Sequence, residues 1–347
     1  MESTTIAVDL AKSVFQIAVS RHPGRVAETH RLSRVQFLTF FAERQPSLVV
    51  LEACGTAHYW ARQIQAFGHR VELLPPHRVR CYVARNKTDR ADAEALLEAQ
   101  RNEEIRRVPV KSVGQQTLAA LHRLRSAWMG DRTARINLVR GLLRELGFPI
   151  PVGARHVVVR AEELVQDGSL PEPLRPALRE VCQEVRDYER RVHEVEQQLR
   201  VLAAQTPVVE RLQSIPGVGL LTATALVALV GDAKRFPTSR HFASYLGLTP
   251  REHSSGLRRR LGGINKAGDT YLRTLLICGA RSALLGAQHR KNTPPDRLRR
   301  WALELHSLRG HNRAAVALAN KLARIVWAVW RHDTPFQSRA GTATGAA

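Results

Sequence analysis

The sequence predicts an α/β domain built on a mixed sheet, then long coiled-coil helices, then a mainly helical C-terminal part, an α/β plus all-α chain. Three observations predict it. Short β-branched runs alternate with helical stretches as far as Leu74. Leu174, Leu178, Val181, Val185, Tyr188, Val192, Val195, Leu199 and Leu202 step by four and three, the spacing of a coiled-coil seam. Beyond residue 206 the apolar stretches carry helical spacing, and two of them flank Ile215-Pro216-Gly217-Val218-Gly219. The expected boundaries are 1–112 for the α/β domain, 113–206 for the helical linker and coiled coil, 207–332 for the C-terminal domain, and 333–347 for a small, polar, disordered tail.

Taken in order, residues 4–20 hold two β-branched runs around a short polar turn, and 25–32 supply a third strand of an antiparallel meander. A helix over 34–44 precedes Leu48-Val49-Val50-Leu51, a continuous apolar run of the kind that fills a strand buried on both faces, ending at Glu52. Helix 57–67 and strand 70–74 follow. Thr88 is a plausible N-cap for a helix opening with Asp89 and Asp92, which share a face three residues apart. Residues 114–146 predict a long helix with Leu118, Leu121, Leu124, Trp128, Val139 and Leu142 on one stripe, stopped at Gly147 and Pro149. Residues 150–172 are expected to be a connector. The seam at 174–202 is expected to join protomers, since charged residues occupy the positions between its apolar steps. Residues 270–288 and 312–331 complete the helices.

The net charge of +22 points to a polyanionic partner, and its distribution says which part meets it. Residues 1–100 hold 13 Lys/Arg against 10 Asp/Glu, whereas residues 234–332 hold 20 against 4. Cys54, Cys81, Cys182 and Cys278 show no paired metal-ligand spacing, so reduced, buried thiols are expected rather than a zinc site or disulfides. The opening residues read as a strand rather than a charged leader, and no stretch reaches the ~18 uninterrupted apolar residues of a membrane span, so the expected location is the cytoplasm, on nucleic acid.

Two constellations carry chemistry. Arg251–Leu261 sets Ser254, Ser255 and Gly256 beside Arg258, Arg259 and Arg260, so that a hydroxyl on a loop could attack a phosphodiester held by forked charge-assisted hydrogen bonds. Asp9 ends the first strand, Glu52 ends a central strand, and Asp89 and Asp92 open a helix; Glu94 replaces Asp89 if the helix register is shifted. Four carboxylates gathered at one sheet end repel one another unless divalent cations neutralise them, and hard oxygen donors suit Mg²⁺. Pro216, Gly217 and Gly219 resemble the hairpin of helix-hairpin-helix modules, whose backbone N–H groups face a phosphate, and Lys266 and Arg273 extend the basic set.

Val8-Asp9-Leu10-Ala11-Lys12, Leu51-Glu52-Ala53-Cys54-Gly55-Thr56 and Lys87-Thr88-Asp89-Arg90-Ala91-Asp92-Ala93 resemble the acidic motifs of a RuvC-like, ribonuclease-H-fold domain found in one family of bacterial transposases. Ile215-Pro216-Gly217-Val218-Gly219, Tyr245-Leu246-Gly247-Leu248-Thr249-Pro250, His253-Ser254-Ser255-Gly256 and Gly262-Gly263-Ile264-Asn265-Lys266-Ala267-Gly268-Asp269 are similar to that family's C-terminal transposase domain. The family is insertion-sequence family one-hundred-and-ten, the bridge-RNA-guided DEDD recombinases, and the His-Ser-Ser-Gly form resembles its eleven-eleven subgroup. The resemblance implies that Asp9, Glu52, Asp89 and Asp92 hold Mg²⁺ and that Ser255, directly before glycine, is the nucleophile, with Ser254 as the alternative. It also implies donor and target DNA, an element-encoded noncoding RNA, and a homodimer or homotetramer. Two other readings compete: a RuvC-like nuclease or junction resolvase that uses water, and a non-enzymatic architectural DNA binder. A sugar-kinase-like ATPase would need a glycine-rich phosphate loop, for which no match is found in the chain.

Overall fold

The computed structural model describes residues 4–83, 88–256, 258–289 and 296–337, apart from the side chains of Asp89 and Arg90. The chain divides into two compact units, Met1–Val113 and Gly114–Ala347.

The first unit is a five-stranded mixed sheet. β1 (Thr5–Leu10), β2 (Val14–Ser20) and β3 (Glu28–Ser33) form the expected meander, followed by α1 (Arg34–Ala42), β4 (Leu48–Glu52), α2 (Ala57–Ala66) and β5 (Arg70–Leu74). The strand order is β3-β2-β1-β4-β5, with β1, β4 and β5 parallel. Such a sheet is consistent with a ribonuclease-H-like domain. The helices form where the sequence places them for local reasons. Ser33 closes a reciprocal capping box with Gln36 at the start of α1. After α3 (Pro76–Val79), Thr88 accepts a hydrogen bond from the Ala91 backbone N–H (3.2 Å) and starts α4 (Asp89–Arg101). Strand side chains alternate between two cores. Ile6, Val8, Val49 and Leu51 pack with the Phe15, Phe37, Phe41 and Trp60 rings on the α1/α2 face, and Ala7, Ala18, Val50 and Leu74 pack with Ala93, Leu96 and Ala99 of α4 on the other.

The second unit is nearly all helical. α5 (Val113–Glu145), α6 (Arg155–Gln166) and α7 (Leu174–Ala204) are followed by α8 (Pro207–Gln213), α9 (Leu220–Val230) and α10 (Ser239–Tyr245). A two-stranded hairpin, β6 (Pro250–Glu252) and β7 (Leu261–Ile264), leads to α11 (Thr270–His289), α12 (Arg297–Arg309) and α13 (His311–His332). One core joins Leu118 of α5 and Leu199 of α7 to Val326 of α13, and so runs across residue 206, where the sequence suggests a boundary.

Four expectations need correction. The 150–172 connector contains α6, whose Val157, Ala161, Leu164 and Val165 are buried. On α5, Leu118 and Val139 of the expected stripe are buried, but Leu124 is exposed, and Ile136 and Leu143 are buried in addition. The α7 seam faces this chain's own helices. Leu178, Cys182 and Val185 pack with Ile136, Val139 and Leu143, and Val195 and Leu199 pack with Leu118 and Ala119. Arg125–Glu196 (2.7 Å), Arg132–Glu189 (2.5 Å) and Arg135–Glu184 fix α5 and α7 antiparallel, so the step from seam to second protomer lapses. Of the free thiols only Cys182 is buried; Cys81 and Cys278 are exposed. Of the expected tail, 338–347 lie outside the described residues. No helix among the described residues is long and apolar enough to cross a membrane.

Candidate functional site

The acidic residues are set by strand register. β1 and β4 pair in parallel up to Val8 opposite Leu51, so Asp9 and Glu52 are the next residues of each strand and stand side by side. Alternation puts both on the α4 face. Asp9 follows the direction of Ala7, and Glu52 pairs with Leu74, both core residues beneath α4. On α4, Asp92 lies four and seven residues before Leu96 and Ala99, the buried stripe that rests on this face. Asp9, Glu52 and Asp92 are each only partly exposed. Asp89 is the first residue of α4, and its side chain lies outside the described residues. Among the described residues no three His, Cys, Asp or Glu side chains are already gathered around a cation position. Asp9 and Glu52 on the sheet face and Asp92 on the helix above it offer oxygen donors only, the donor type that hard divalent ions take.

The serines sit at the end of the β6–β7 hairpin, in the second unit. Its foot is rigid. Gly247 (φ +72°) and Gly268 (φ +76°) approach so closely that a Cβ would lie 2.0 Å from the Ala267 carbonyl oxygen in one case and 2.0 Å from that of Tyr245 in the other. Asn265 donates to Thr249 through its backbone N–H (2.8 Å) and its amide (3.1 Å), and Asn320 of α13 donates to the Leu248 carbonyl (3.0 Å). The tip is closed by a mutual pair, the Ser255 N–H to the Arg258 carbonyl (3.3 Å) and the Arg258 N–H to the Ser255 carbonyl (3.2 Å), around Gly256 at φ +54°.

The two serines differ. The Ser254 hydroxyl donates to Glu252 Oε1 (2.7 Å) and accepts from the Arg260 N–H (3.2 Å). Arg259 Nε donates to the same Glu252 oxygen (3.2 Å). Hydrogen bonding from Ser254, then the Arg259 charge, hold the Glu252 carboxyl below the usual carboxylate range. The Ser255 hydroxyl has no hydrogen-bond partner among the described residues, and neither do the exposed guanidinium groups of Arg258 and Arg260.

A model of DEDD transposases of the IS110 type matches residues 6–148, and the Transposase IS116/IS110/IS902 family matches residues 209–293. A "Probable family 20 transposase" of Pseudomonas aeruginosa is 42% identical over 97% of this chain and 99% of its own length. The transposase for insertion sequence element IS1111A of Coxiella burnetii is 40% identical over 96% of this chain and 92% of its own. The chain belongs to the IS110 family of DEDD transposases. It is therefore an enzyme of DNA recombination, and similarity extends to a pilin gene-inverting protein of Moraxella bovis, 24% identical over 98% and 99% of the two chains.

Not every residue expected to touch nucleic acid is placed to do so in this transposase. Arg273 is 8% exposed, donating to the Ala267 carbonyl (2.9 Å) and the Thr270 hydroxyl (3.1 Å); it braces the hairpin foot and leaves the contact set. Lys266 is exposed in a left-handed conformation (φ +59°), its N–H on the Gly247 carbonyl (3.2 Å). Gly217 (φ +85°) lies against Gly279 of α11, where a Cβ on Gly279 would stand 1.9 Å from the Gly217 carbonyl oxygen. That turn is thus required first for helix packing. Gly219, by contrast, caps α9 with open space at its Cα, and Pro216 is half-buried beside it. Sequence reasoning missed Glu252, Asn265 and the Gly247/Gly268 clasp. The run Asn265-Lys266-Ala267-Gly268-Asp269 carries the turn chemistry that could have shown the clasp.

Proposed function

We propose that this transposase cuts and rejoins DNA through Ser255, with Asp9, Glu52, Asp89 and Asp92 as its metal-binding residues. The observation that carries the reading is the contrast at the hairpin tip: Ser254 is engaged on both sides, whereas the Ser255 hydroxyl is exposed and has no hydrogen-bond partner among the described residues, and Arg258 and Arg260 follow it. Ser255 Oγ forms a bond to the scissile phosphorus, the strand's P–O bond breaks, the serine proton leaves to solvent or a nearby base, and the departing deoxyribose oxygen takes up a proton from solvent and is released as a hydroxyl. The phosphoserine link conserves the bond until a hydroxyl of the new strand attacks it and frees Ser255. Arg258 and Arg260 offset charge that builds on the phosphate, and Arg259 does so with the donors it does not give to Glu252. Mg²⁺ bound by the four carboxylates would supply Lewis-acid polarisation of phosphate oxygens.

Donor and target DNA are the substrates. The +22 chain also fits an RNA encoded by the element, which would choose sites by pairing while the protein holds backbone and helical shape. Gly219 and the open N-terminus of α9 are offered as a backbone phosphate contact, with Pro216 and Gly217 shaping the turn.

The test replaces Ser255 with alanine in the full-length chain and assays excision junctions from a plasmid carrying the element with its native flanks. The expected result is loss of junctions and of any denaturation-resistant protein–DNA adduct, by at least about 1,000-fold. Normal junction formation in S255A would remove Ser255 as nucleophile, and normal junction formation in S254A/S255A as well would establish the water-dependent nuclease reading instead. Sequencing the RNA that co-purifies with the wild-type protein tests the guide: one discrete element-encoded species is expected, and random fragments alone remove that part.

A further inference from the structure

We propose that Glu252 is a positioning residue for the reaction, bracing the hairpin tip through Ser254 and Arg259 so that the Ser255 hydroxyl is presented at a fixed place. The inference rests on Ser255 as nucleophile and adds a residue that the acidic and serine motifs do not include.

The ladder explains why a brace is needed. β6 and β7 pair at Pro250 with Ile264 and at Glu252 with Leu261, with a shift in register between them. One residue on, the His253 N–H reaches the Arg260 carbonyl (2.9 Å), but the Arg260 N–H goes to the Ser254 hydroxyl (3.2 Å) instead of to a backbone carbonyl. The Ser254 side chain thus substitutes for a missing ladder bond, as happens where a bulge leaves a backbone donor unpaired. That hydroxyl can hold its place only if its own proton has an acceptor, and Glu252 Oε1 is that acceptor at 2.7 Å. The same oxygen takes the Arg259 Nε (3.2 Å), so one carboxylate ties Ser254 on one arm of the hairpin to Arg259 on the other. Beyond this level, among the described residues, the Ser255–Arg258 pair alone orders the tip. Burial contributes nothing there, because Arg251–Gly256 and Arg258–Gly263 are all exposed.

The same geometry admits the Glu252 carboxylate as a base, with the Ser254 hydroxyl at 2.7 Å its direct partner, and the substitution Glu252→Gln separates a base from a brace. A glutamine oxygen still accepts from Ser254 and Arg259, but it takes no proton at neutral pH. For a brace, E252A should lower excision-junction formation by about 10- to 100-fold, the cost of a misplaced reacting group, while E252Q stays within about threefold of wild type. S254A should fall with E252A, and S255A should abolish the reaction. In purified full-length protein, E252Q should leave the pH profile of adduct formation on a duplex carrying the element ends unchanged. Equal loss in E252Q and E252A, or full activity in E252A, overturns the positioning role while leaving Ser255 as nucleophile. Retained activity in S255A overturns both, so failure of the brace alone and failure of the nucleophile give different results.

Discussion

The acidic end of the sheet and the serine hairpin hold their side chains by opposite means. Asp9, the penultimate residue of β1, and Glu52, the last of β4, follow residues that are fully buried, Ile6 to Val8 and Val49 to Leu51, so the position of each carboxylate is fixed by core packing on both sheet faces. Ser255 stands on a hairpin without a core, held by close glycine contacts at its foot and polar cross-links above. Substitution at the carboxylates should therefore change chemistry and leave folding alone. In the hairpin and the helices that carry it, small changes in shape should be felt first.

The largest expected effect tests the acidic half of that contrast. Glu52→Gln and Asp92→Asn should each reduce junction formation by roughly 1,000-fold, the scale of several kcal/mol of lost charge stabilisation. Both should melt within a few degrees of wild type, and Mg²⁺ should raise the melting temperature of the wild type more than that of either variant. Activity retained in both would remove the carboxylates from the site.

Next come two glycines of α11 that differ only in what faces them. A Cβ at Gly279 would meet the Gly217 carbonyl oxygen at 1.9 Å, whereas Gly286 faces open space. Gly279→Ala should cost about 3 kcal/mol through overpacking of backbone on backbone. Gly286→Ala should stabilise by about 0.5–1 kcal/mol, because alanine loses less entropy in a helix. Urea midpoints of both variants measure the difference, and equal midpoints would show that the turn before α9 can move away from α11.

His122 offers a pH-dependent test of the helical unit. It is 2% exposed, between the Tyr271 hydroxyl (2.9 Å) and the Thr224 hydroxyl (2.9 Å), and burial, with Arg125 nearby, lowers its pKa from 6.5 to about 4. The native state keeps it neutral, so the unfolded state takes up the proton first as pH falls. Its contribution to stability is whole above 6.5 and lost progressively from 6.5 down to about 4. Between pH 7.5 and 4.5 the wild type should lose about 2 kcal/mol more than His122→Gln. Parallel losses would mean that the imidazole accepts its proton without leaving the core.

Much of the fold was legible because each signal was local. The strands announced themselves as β-branched runs, Thr88 as a cap, and Glu52 as the polar end of an apolar strand. What could not be read depends on distant partners. Heptad steps in α7 show that a helix faces another helix, and nothing in the spacing says that the other is α5 of the same chain. Gly217 read as an exposed phosphate contact because its steric partner lies 62 residues away, at Gly279. The hairpin strands are three and four residues long and exposed, so no alternation of burial marked them. At the hairpin tip, residue type alone does not distinguish the surroundings of Ser254 and Ser255; only Ser254 carries the Glu252 and Arg260 contacts.

The smallest expected effect applies the same lesson to the arginines. Arg258 and Arg273 are both cations near the serine motif in sequence, yet one is exposed at the tip and the other is 8% exposed at the foot. If Arg258 neutralises a phosphate, Arg258→Ala should lower the slope of log affinity against log salt by about one unit while leaving stability unchanged. Arg273→Ala should do the reverse. It removes donors from the Ala267 carbonyl and the Thr270 hydroxyl, so melting falls by several degrees while the salt slope holds. Titrations of duplex DNA at two or more salt concentrations, beside thermal melts, measure both quantities. A reduced slope in Arg273→Ala with unchanged melting would mean that the foot opens on binding DNA and turns its buried guanidinium outward.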